Sequence, residues 1–249
     1  MTRSMLGLFL RACVVLTGTA LATFTLLWNA PGDPALAIAM ARFNAVVPAD
    51  VIDLVRAEAG LDAGFWAAFR GWVVPLISGD FGNSSVTGRP VWPDLASATS
   101  YTVPLALAGL AIGLAISIPL AVLATRHPGS WLDRFAIGIA SLGAAIPAYW
   151  LGLLLILLFA VKLAWLPAMG AATPSHVILP ALTLGLGVAA ALTRIIRSGI
   201  LEARGQPFMP AFKRRGVSAR ALARDHVAPH AAIPVITVFG LELAFLLEG

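Results

Sequence analysis

The chain has 249 residues, of which 59% are hydrophobic and 12% are charged, with a formal net charge of +5 and a mean hydropathy of +0.88. A soluble globular domain carries about a quarter charged residues, so this composition predicts an integral membrane protein. The single cysteine, Cys13, lies in an apolar stretch and excludes a disulfide framework or a zinc cluster. Basic residues in such a protein usually report topology, and no nucleic-acid partner is expected.

Five long apolar stretches predict five transmembrane helices. The first, residues 5–28, is long enough to cross about 30 Å of hydrocarbon, and we interpret it as a retained anchor rather than a cleaved signal. The others are residues 102–124, 135–161 and 177–196 and a stretch that begins near Ala231 and is still apolar at Gly249. Neighbouring helices in lipid can accommodate their glycines and prolines. The predicted fold is therefore an all-α, polytopic helical bundle.

The charges between these stretches predict the topology. If the five spans alternate, Arg3, Arg126, Arg134 and the basic segment 194–224 share one side. Segment 29–101, with seven acidic and four basic residues, lies on the other side. Because positive loops stay inside, the N-terminus and segment 194–224 are expected in the cytoplasm.

The chain divides by pattern into an N-terminal transmembrane helix (1–28), an outer segment (29–100) and a second transmembrane part (101–249) that includes a cytoplasmic loop (199–230). Within the outer segment, apolar residues recur at helical spacing and predict one or two amphipathic helices: Val51, Leu54, Val55, Leu61, Phe65, Phe69 and Trp72. These helices either shield the bundle or form a docking surface for an external partner.

Motifs for catalysis are missing from the sequence. It has no phosphate-binding GxxxxGK[ST] loop, no HExxH and no GxSxG, so an enzyme is not expected. His226 and His230 have the spacing of two metal ligands on a helix, but Pro229 interrupts that turn, and hydrogen-bonded loop histidines are expected instead of a metal site. Glu242 falls inside the fifth apolar stretch, where a carboxylate is costly, so it either lines a watery path or is protonated in the bundle.

The loop between the fourth and fifth stretches carries six of the 17 Lys and Arg residues, between positions 202 and 234. It predicts a short helix, a turn at Gly216 and a second helix, presented to a soluble cytoplasmic protein. Glu202 is expected near the start of the first helix, where it caps amides or meets a partner's basic group. The alternative is a loop that only fixes topology, by contact with anionic membrane lipid.

One set of residues in this loop has a recognisable order: Glu202, Ala203, Phe208, Lys213, Arg214, Arg215, Gly216, His226 and Pro234. The order of glutamate, aromatic, basic run, glycine, histidine and span-opening proline resembles the EAA-type coupling loop of ATP-binding-cassette importer permeases of the dipeptide/oligopeptide/nickel family. Other stretches are similar to further motifs of that family: APGDPAL, residues 56–62, GDFGNSSVTGRPV, ILPALTLG and TRIIRSGILE. Each motif is weak alone, and their order and spacing make the resemblance specific.

The resemblance implies a type I importer permease in the bacterial inner (plasma) membrane, multi-pass, with no cofactor and no metal of its own. It also implies a second homologous permease subunit, two cytoplasmic ATP-binding subunits that hydrolyse ATP, and a periplasmic or lipid-anchored substrate-binding protein. Short peptides or a related small solute are the expected cargo, ahead of nickel or a metal chelate. An ion-coupled secondary transporter and a membrane enzyme are the alternatives from other classes.

The chain also departs from the family pattern. Pro207 and Pro210 fall where the family has a regular helix start, and Pro229 with His230 replaces an Arg-Asn pair, so a late or bent coupling helix is expected. The family continues beyond the fifth span, so the sequence is expected to be C-terminally truncated.

Overall fold

The computed structural model describes residues 2–43, 47–84 and 86–248. Ser85, within the GDFGNSSVTGRPV element, and the side chain of Lys213 lie outside the described residues. The helices are α1 (Thr2–Trp28), α2 (Pro34–Phe43), α3 (Ala49–Glu58), α4 (Phe65–Ile77), α5 (Val91–Ala124), α6 (Trp131–Ala145), α7 (Ala148–Leu155), α8 (Ser175–Gly205), α9 (Met209–Arg214), α10 (Ala219–Leu222) and α11 (Ala228–Glu248). Two π-helical turns, Ile156–Lys162 and Ala223–Val227, follow α7 and precede α11.

Four helical segments in the described part of the chain are long and apolar enough to cross a membrane: Met5–Trp28, Val91–Ala124, Ser175–Gly205 and Ala219–Leu247. A fifth is present if α6 and α7 are counted as one span. These findings confirm the predicted all-α polytopic fold. The helices extend beyond the predicted stretches, since α5 begins well before residue 102 and α8 ends well after residue 196.

The predicted third span is not one straight helix. Its two halves, Trp131–Ala145 and Ala148–Lys162, meet at an angle of 101°. Ile146 between them has ψ 124°, the extended conformation favoured for a residue that precedes a proline, here Pro147. The break follows from this local sequence, whereas its angle depends on what the two helices pack against.

The chain forms two compact units, divided between Ala98 and Thr99. In the first unit, α2 and α3 form a hairpin around buried Ala35, Ala39 and Val55. Asp33 precedes α2 and accepts a hydrogen bond from the Ala35 amide at 3.0 Å, with Pro34 at the first helical position, which is a favourable helix start. The Gly-Asp-Pro sequence of the APGDPAL motif, residues 32–34, therefore lies at the start of this hairpin.

Segment 29–100 holds α3 and α4, in agreement with the predicted helices, and α2 is an additional helix that the pattern did not predict. Helix α4 contacts α1 through aromatic side chains, with Phe24 at 5.3 Å from Phe69 and 5.6 Å from Trp72 between ring centroids. Such pairs contribute about 0.5–1.5 kcal/mol each beyond the area they bury. They fix α4 against the C-terminal half of α1.

In the second unit, α8 is the central helix and packs against α6, α7 and α11. It also lies very close to α5: a Cβ added at Gly113 would come within 2.5 Å of Val188, and one added at Gly185 within 2.6 Å of Ile112. Small residues allow the two helices to approach this closely. The resulting van der Waals contacts stabilise the pair, because lipid provides no hydrophobic effect between helices.

Candidate functional site at the loop end of the bundle

One end of the second unit gathers the chain segments that connect its long helices. We call it the loop end: it contains the end of α5, the start of α6, the end of α8, helices α9 and α10, and the start of α11. Arg204 of α8 donates a hydrogen bond to the carbonyl oxygen of Thr125, and Arg197 of α8 pairs with Asp133 of α6. These contacts bring together segments that are far apart in the sequence.

Helices α9 and α10 are packed onto the bundle. Met209 and Leu222 are 3% and 6% exposed and belong to the same apolar cluster as Ile200 and Ala203 of α8 and Ala231 of α11. Phe212 and Val217 pack against this cluster. The loop therefore contributes buried residues to the apolar core of the second unit. Because these residues pack against α8 and α11, a displacement of α9 or α10 would also displace those two helices.

Gly216 forms the turn between α9 and α10. Its φ is +76°, which glycine adopts freely and other residues rarely do. The Val217 amide donates to the Phe212 carbonyl at 3.2 Å, the six-to-one bond of a Schellman turn that satisfies a free carbonyl at the end of α9. Ser218 then starts α10, and its hydroxyl accepts from the Ala221 amide at 3.3 Å. The structure thus has the predicted helix, glycine turn and helix.

The two histidines are not loop residues. His226 lies in the π-helical turn before α11 and stacks on Phe212 with ring centroids 4.1 Å apart, and His230 lies 6.0 Å from Phe208. Helix continues through Pro229, because the wider π turn directly before it leaves room for a ring that would clash with an α-helical carbonyl. Within the described residues, no group of three or more candidate ligands for a metal ion is present.

Two further expectations are corrected. Glu202 is exposed in the last turn of α8, so it does not cap the first loop helix. Its negative charge near a helix C-terminus is unfavourable for the helix dipole, so its place is not explained by helix stability. Pro234 lies within α11, which begins at Ala228, and therefore does not open that helix.

The other residues of the predicted motif divide into buried and exposed members. Ala203 is 2% exposed and packs within the apolar cluster, while Phe208 is 39% exposed. Arg214 and Arg215 are exposed beside Gly216, and Arg220 is exposed on α10. Helix α9 includes Lys213 and begins at Met209, between the two prolines of the loop. The outward side of this helix pair is therefore cationic.

The ion pair between Asp133 and Arg197 was not predicted from the sequence. It is bidentate, with Nε–Oδ1 and Nη2–Oδ2 distances of 2.5 and 2.6 Å, and Asp133 is 3% exposed. Asp133 also accepts from the Gly129 amide at 2.8 Å, and its own amide donates to Ser130. Removing one partner from such a buried pair typically costs about 3–5 kcal/mol, because the other charge is left uncompensated.

A sequence signal for half of this arrangement did exist. Residues 130–133 read Ser-Trp-Leu-Asp, which matches the Ser/Thr-x-x-Asp/Glu pattern of a helix start. The pattern indicates where α6 begins. It does not indicate that the carboxylate also binds a side chain of α8.

Glu242 lies on the inward stripe of α11. Val238, Phe239 and Leu246, which are three or four residues from it, pack against the apolar cluster, whereas Leu241 and Phe245 are exposed. Glu242 itself is half-buried, and no ion pair of it is seen in the described part of the chain. Ala231 contacts Gly199 at the loop end, and Glu242 lies about 16 Å farther along the helix.

An apolar cavity of about 250 Å³ lies between α5, α6, α7 and α8. Its lining consists of Ile116, Leu120, Ile139, Ala140, Leu142, Gly143, Ile146, Leu151, Leu186, Ala189, Ala190 and Thr193. None of these side chains is ionisable.

Together, the long apolar helices and the structured loop end define a polytopic helical membrane protein. Residues 117–249 match the family described as binding-protein-dependent transport system inner membrane component. The chain is 37% identical over 219 residues to the glutathione transport system permease protein GsiC of Escherichia coli (strain K12), covering 88% of this chain and 70% of that protein. The proteins of the same name from Shigella dysenteriae serotype 1 (strain Sd197) and Shigella flexneri serotype 5b (strain 8401) are 37% and 36% identical over the same shares.

The chain belongs to this family of inner-membrane transport components, as an ATP-binding-cassette importer permease of the dipeptide/oligopeptide/nickel family. The resemblance found in the loop residues is thereby confirmed, and the chain is a multi-pass permease of the inner membrane.

Proposed function

We propose that this chain is the transmembrane permease subunit of a binding-protein-dependent importer for short peptides or a related small solute. It pairs with a second homologous permease, and two cytoplasmic ATP-binding subunits dock at the loop end. A periplasmic or lipid-anchored binding protein delivers the solute from outside. ATP is hydrolysed on the separate subunits, and this chain performs no chemistry.

The arrangement of α9 and α10 carries the proposal. Their inward side is buried with α8 and α11, through Met209 and Leu222. Their outward side presents Arg214, Arg215 and Arg220 to an acidic partner surface. A protein that binds the outward side and changes conformation when it binds ATP would therefore displace α8 and α11 together.

The cytoplasmic position of the loop end is part of the proposal and has its own test. In a Cys13→Ser background, Ala219→Cys at the loop end and Thr87→Cys in the outer segment place single thiols at exposed positions. We expect an impermeant thiol reagent to label Thr87→Cys from the periplasmic side and Ala219→Cys only after the membrane is opened. Labelling of both thiols from the periplasmic side would contradict the topology.

The name of the relatives supports a peptide-like cargo, since glutathione is a tripeptide. A chelated metal is the other candidate, because a binding protein that carries the metal would require no metal ligands in the permease. The test is uptake by the complete complex in proteoliposomes, with labelled glutathione, a labelled dipeptide and Ni²⁺ supplied with the cognate binding protein. ATP-dependent uptake of a peptide supports the proposal. Uptake of Ni²⁺ and of neither peptide would show that the chain belongs to a nickel importer.

Docking at the loop end is tested by charge reversal. Arg214→Glu with Arg220→Glu is expected to weaken binding of the cognate ATP-binding subunit about tenfold or more, because like charges across an interface repel. The control is Arg70→Glu, which reverses an exposed arginine on α4. Equal binding by the loop variant and the control would show that the loop is not the docking site. In the uptake experiment, transport driven by an ion gradient without ATP would indicate a secondary transporter.

A further inference from the structure

Two arginines of α8 hold the connection between α5 and α6. Arg197 and Arg204 are seven residues apart, about two helical turns, so they project from the same side of α8. Arg204 binds the Thr125 carbonyl oxygen, directly after the end of α5, and Arg197 binds the Asp133 carboxylate in the first turn of α6. The two contacts therefore grip the connecting turn, residues 125–133, at both of its ends.

Each contact has a physical reason to be firm. The guanidinium of Arg204 lies at the C-terminal end of α5, where free carbonyls and the helix dipole attract a cation. The Asp133–Arg197 pair is bidentate, which fixes orientation as well as distance. Thr125 and Asp133 are 0% and 3% exposed, so water does not compete directly for them.

The turn is also ordered internally. The Gly129 amide donates to Asp133, and the Asp133 amide donates to the Ser130 hydroxyl. Asp133 thus takes part both in the hydrogen bonds within the turn and in the ion pair with α8. A shift of α8 along its axis would pull on the whole turn, whereas apolar contacts alone would let the helices slide past each other.

Arg204 lies in the last turn of α8, two residues after Glu202 and next to the start of the α9–α10 pair. We infer that Arg197 and Arg204 are positioning residues that fasten the turn 125–133 to α8, so that motion imposed on the loop end also moves α5 and α6. The inference rests on the proposed function, because that function supplies the motion. It extends the coupling apparatus from α8 and α11 to four spans.

The experiment compares variants of the complete complex in proteoliposomes by the amount of solute taken up per ATP hydrolysed, together with the amount of assembled complex. Arg197→Gln is expected to lower uptake per ATP about tenfold, and Arg197→Lys, which keeps the charge but not the bidentate geometry, by less. Arg204→Gln is expected to lower it as well. The control is Arg194→Gln, an exposed arginine of the same helix, which is expected to couple like the parent.

Because Arg197→Gln leaves a buried carboxylate without its partner, a double variant keeps the test independent of stability. Asp133→Asn with Arg197→Gln removes both charges and is expected to assemble at the parent's level while uptake per ATP stays about tenfold low. If the double variant couples like the parent, or if every loss of uptake matches an equal loss of assembled complex, the inference is wrong.

Failure of the proposed function would be recognised separately. A parent complex without any ATP-dependent uptake would overturn that function and this inference with it. A parent that couples uptake to ATP, with all arginine variants equal to it, would overturn this inference alone.

Discussion

The imidazole of His226 lies against the phenyl ring of Phe212, with ring centroids 4.1 Å apart and planes 24° apart. This stack joins α9 to the π-helical turn that leads into α11. A second contact, between Phe208 and His230, has its centroids 6.0 Å apart. Two pairs of rings therefore join the start of the last span to the first loop helix, through Phe212, and to the residue directly before that helix, Phe208.

The stack predicts that Phe212→Ala loosens α9. An aromatic pair contributes about 0.5–1.5 kcal/mol, and the variant also loses buried area, so we expect amide exchange in α9 to accelerate about tenfold or more. Hydrogen exchange of the purified complex measures this effect. Phe208→Ala is the comparison, because its ring is more distant from its histidine and 39% exposed, and it should change α9 less. The same exchange rate in both variants would contradict the importance of the stack.

Gly216 predicts a substitution effect that depends on backbone conformation alone. An added Cβ would meet no atom within 4 Å, but φ is +76°, which costs an ordinary residue about 1–2 kcal/mol. Gly216→Val is therefore expected to weaken ATP-binding-subunit binding and abolish ATP-dependent uptake, while Gly216→Asn, which tolerates this conformation, retains most of both. The amount of chain in the membrane should stay the same. If the Val variant transports normally, the turn is not part of the coupling site.

Glu202 predicts an effect on partner binding that is separate from the stability of the loop helices. Glu202 is exposed on α8 and stabilises no helix start, so Glu202→Ala is expected to weaken binding of the ATP-binding subunit without changing hydrogen exchange in α9. Binding of the purified subunit and exchange are measured on the same sample. A variant with normal binding would place Glu202 outside the docking surface.

Glu242 predicts a change in transport without a change in insertion. If Glu242 lines a water-accessible path, Glu242→Gln should alter uptake by the complete complex about threefold or more, because the ionised carboxylate and the neutral amide interact differently with a passing solute. Leu241→Gln adds the same amide to the exposed side of α11 and serves as control. Unchanged uptake in Glu242→Gln would make the carboxylate a structural group only.

Asp33 predicts a pH dependence of the α2–α3 hairpin. Burial raises the pKa of Asp33, but hydrogen bonds from the Ala35 amide and Arg56 outweigh it and hold this pKa below the ordinary value of 3.8. Arg56 Nη2 lies 2.6 Å from Asp33 Oδ2. A lowered carboxylate pKa gives a contribution to stability that is present above the unfolded pKa and lost as the pH falls through the folded value.

The test compares α2 protection in the parent and in Asp33→Asn at each pH, so that intrinsic exchange rates cancel. The parent should be better protected at neutral pH, and the difference should begin to shrink near pH 3.8 and disappear as the pH falls through the lowered folded-state pKa of Asp33. A difference that persists unchanged in acid would mean that the charge of Asp33 does not stabilise the hairpin.

The sequence by itself determined the features that depend on local chemistry. Long apolar stretches must form helices in lipid, because the backbone has no water to bind, and the positions of these stretches therefore predicted the spans. Gly216 between two short helical patterns predicted the turn, and the order of Glu202, Phe208 and His226 predicted the family. Each of these signals lies within a few tens of residues and is independent of what packs against it.

Only the tertiary structure decided which groups meet across the bundle. Asp133 could be assigned to a helix start from Ser130, but its second partner, Arg197, lies 64 residues away, and no local pattern links the two. The 101° angle after Ile146 and the contact of His226 with Phe212 were likewise set by packing between helices. The physical reason is that the helical period of the sequence determines which face of a helix a side chain occupies. Which residue it then contacts depends on how whole helices pack, and that packing is determined by the summed contacts of the unit.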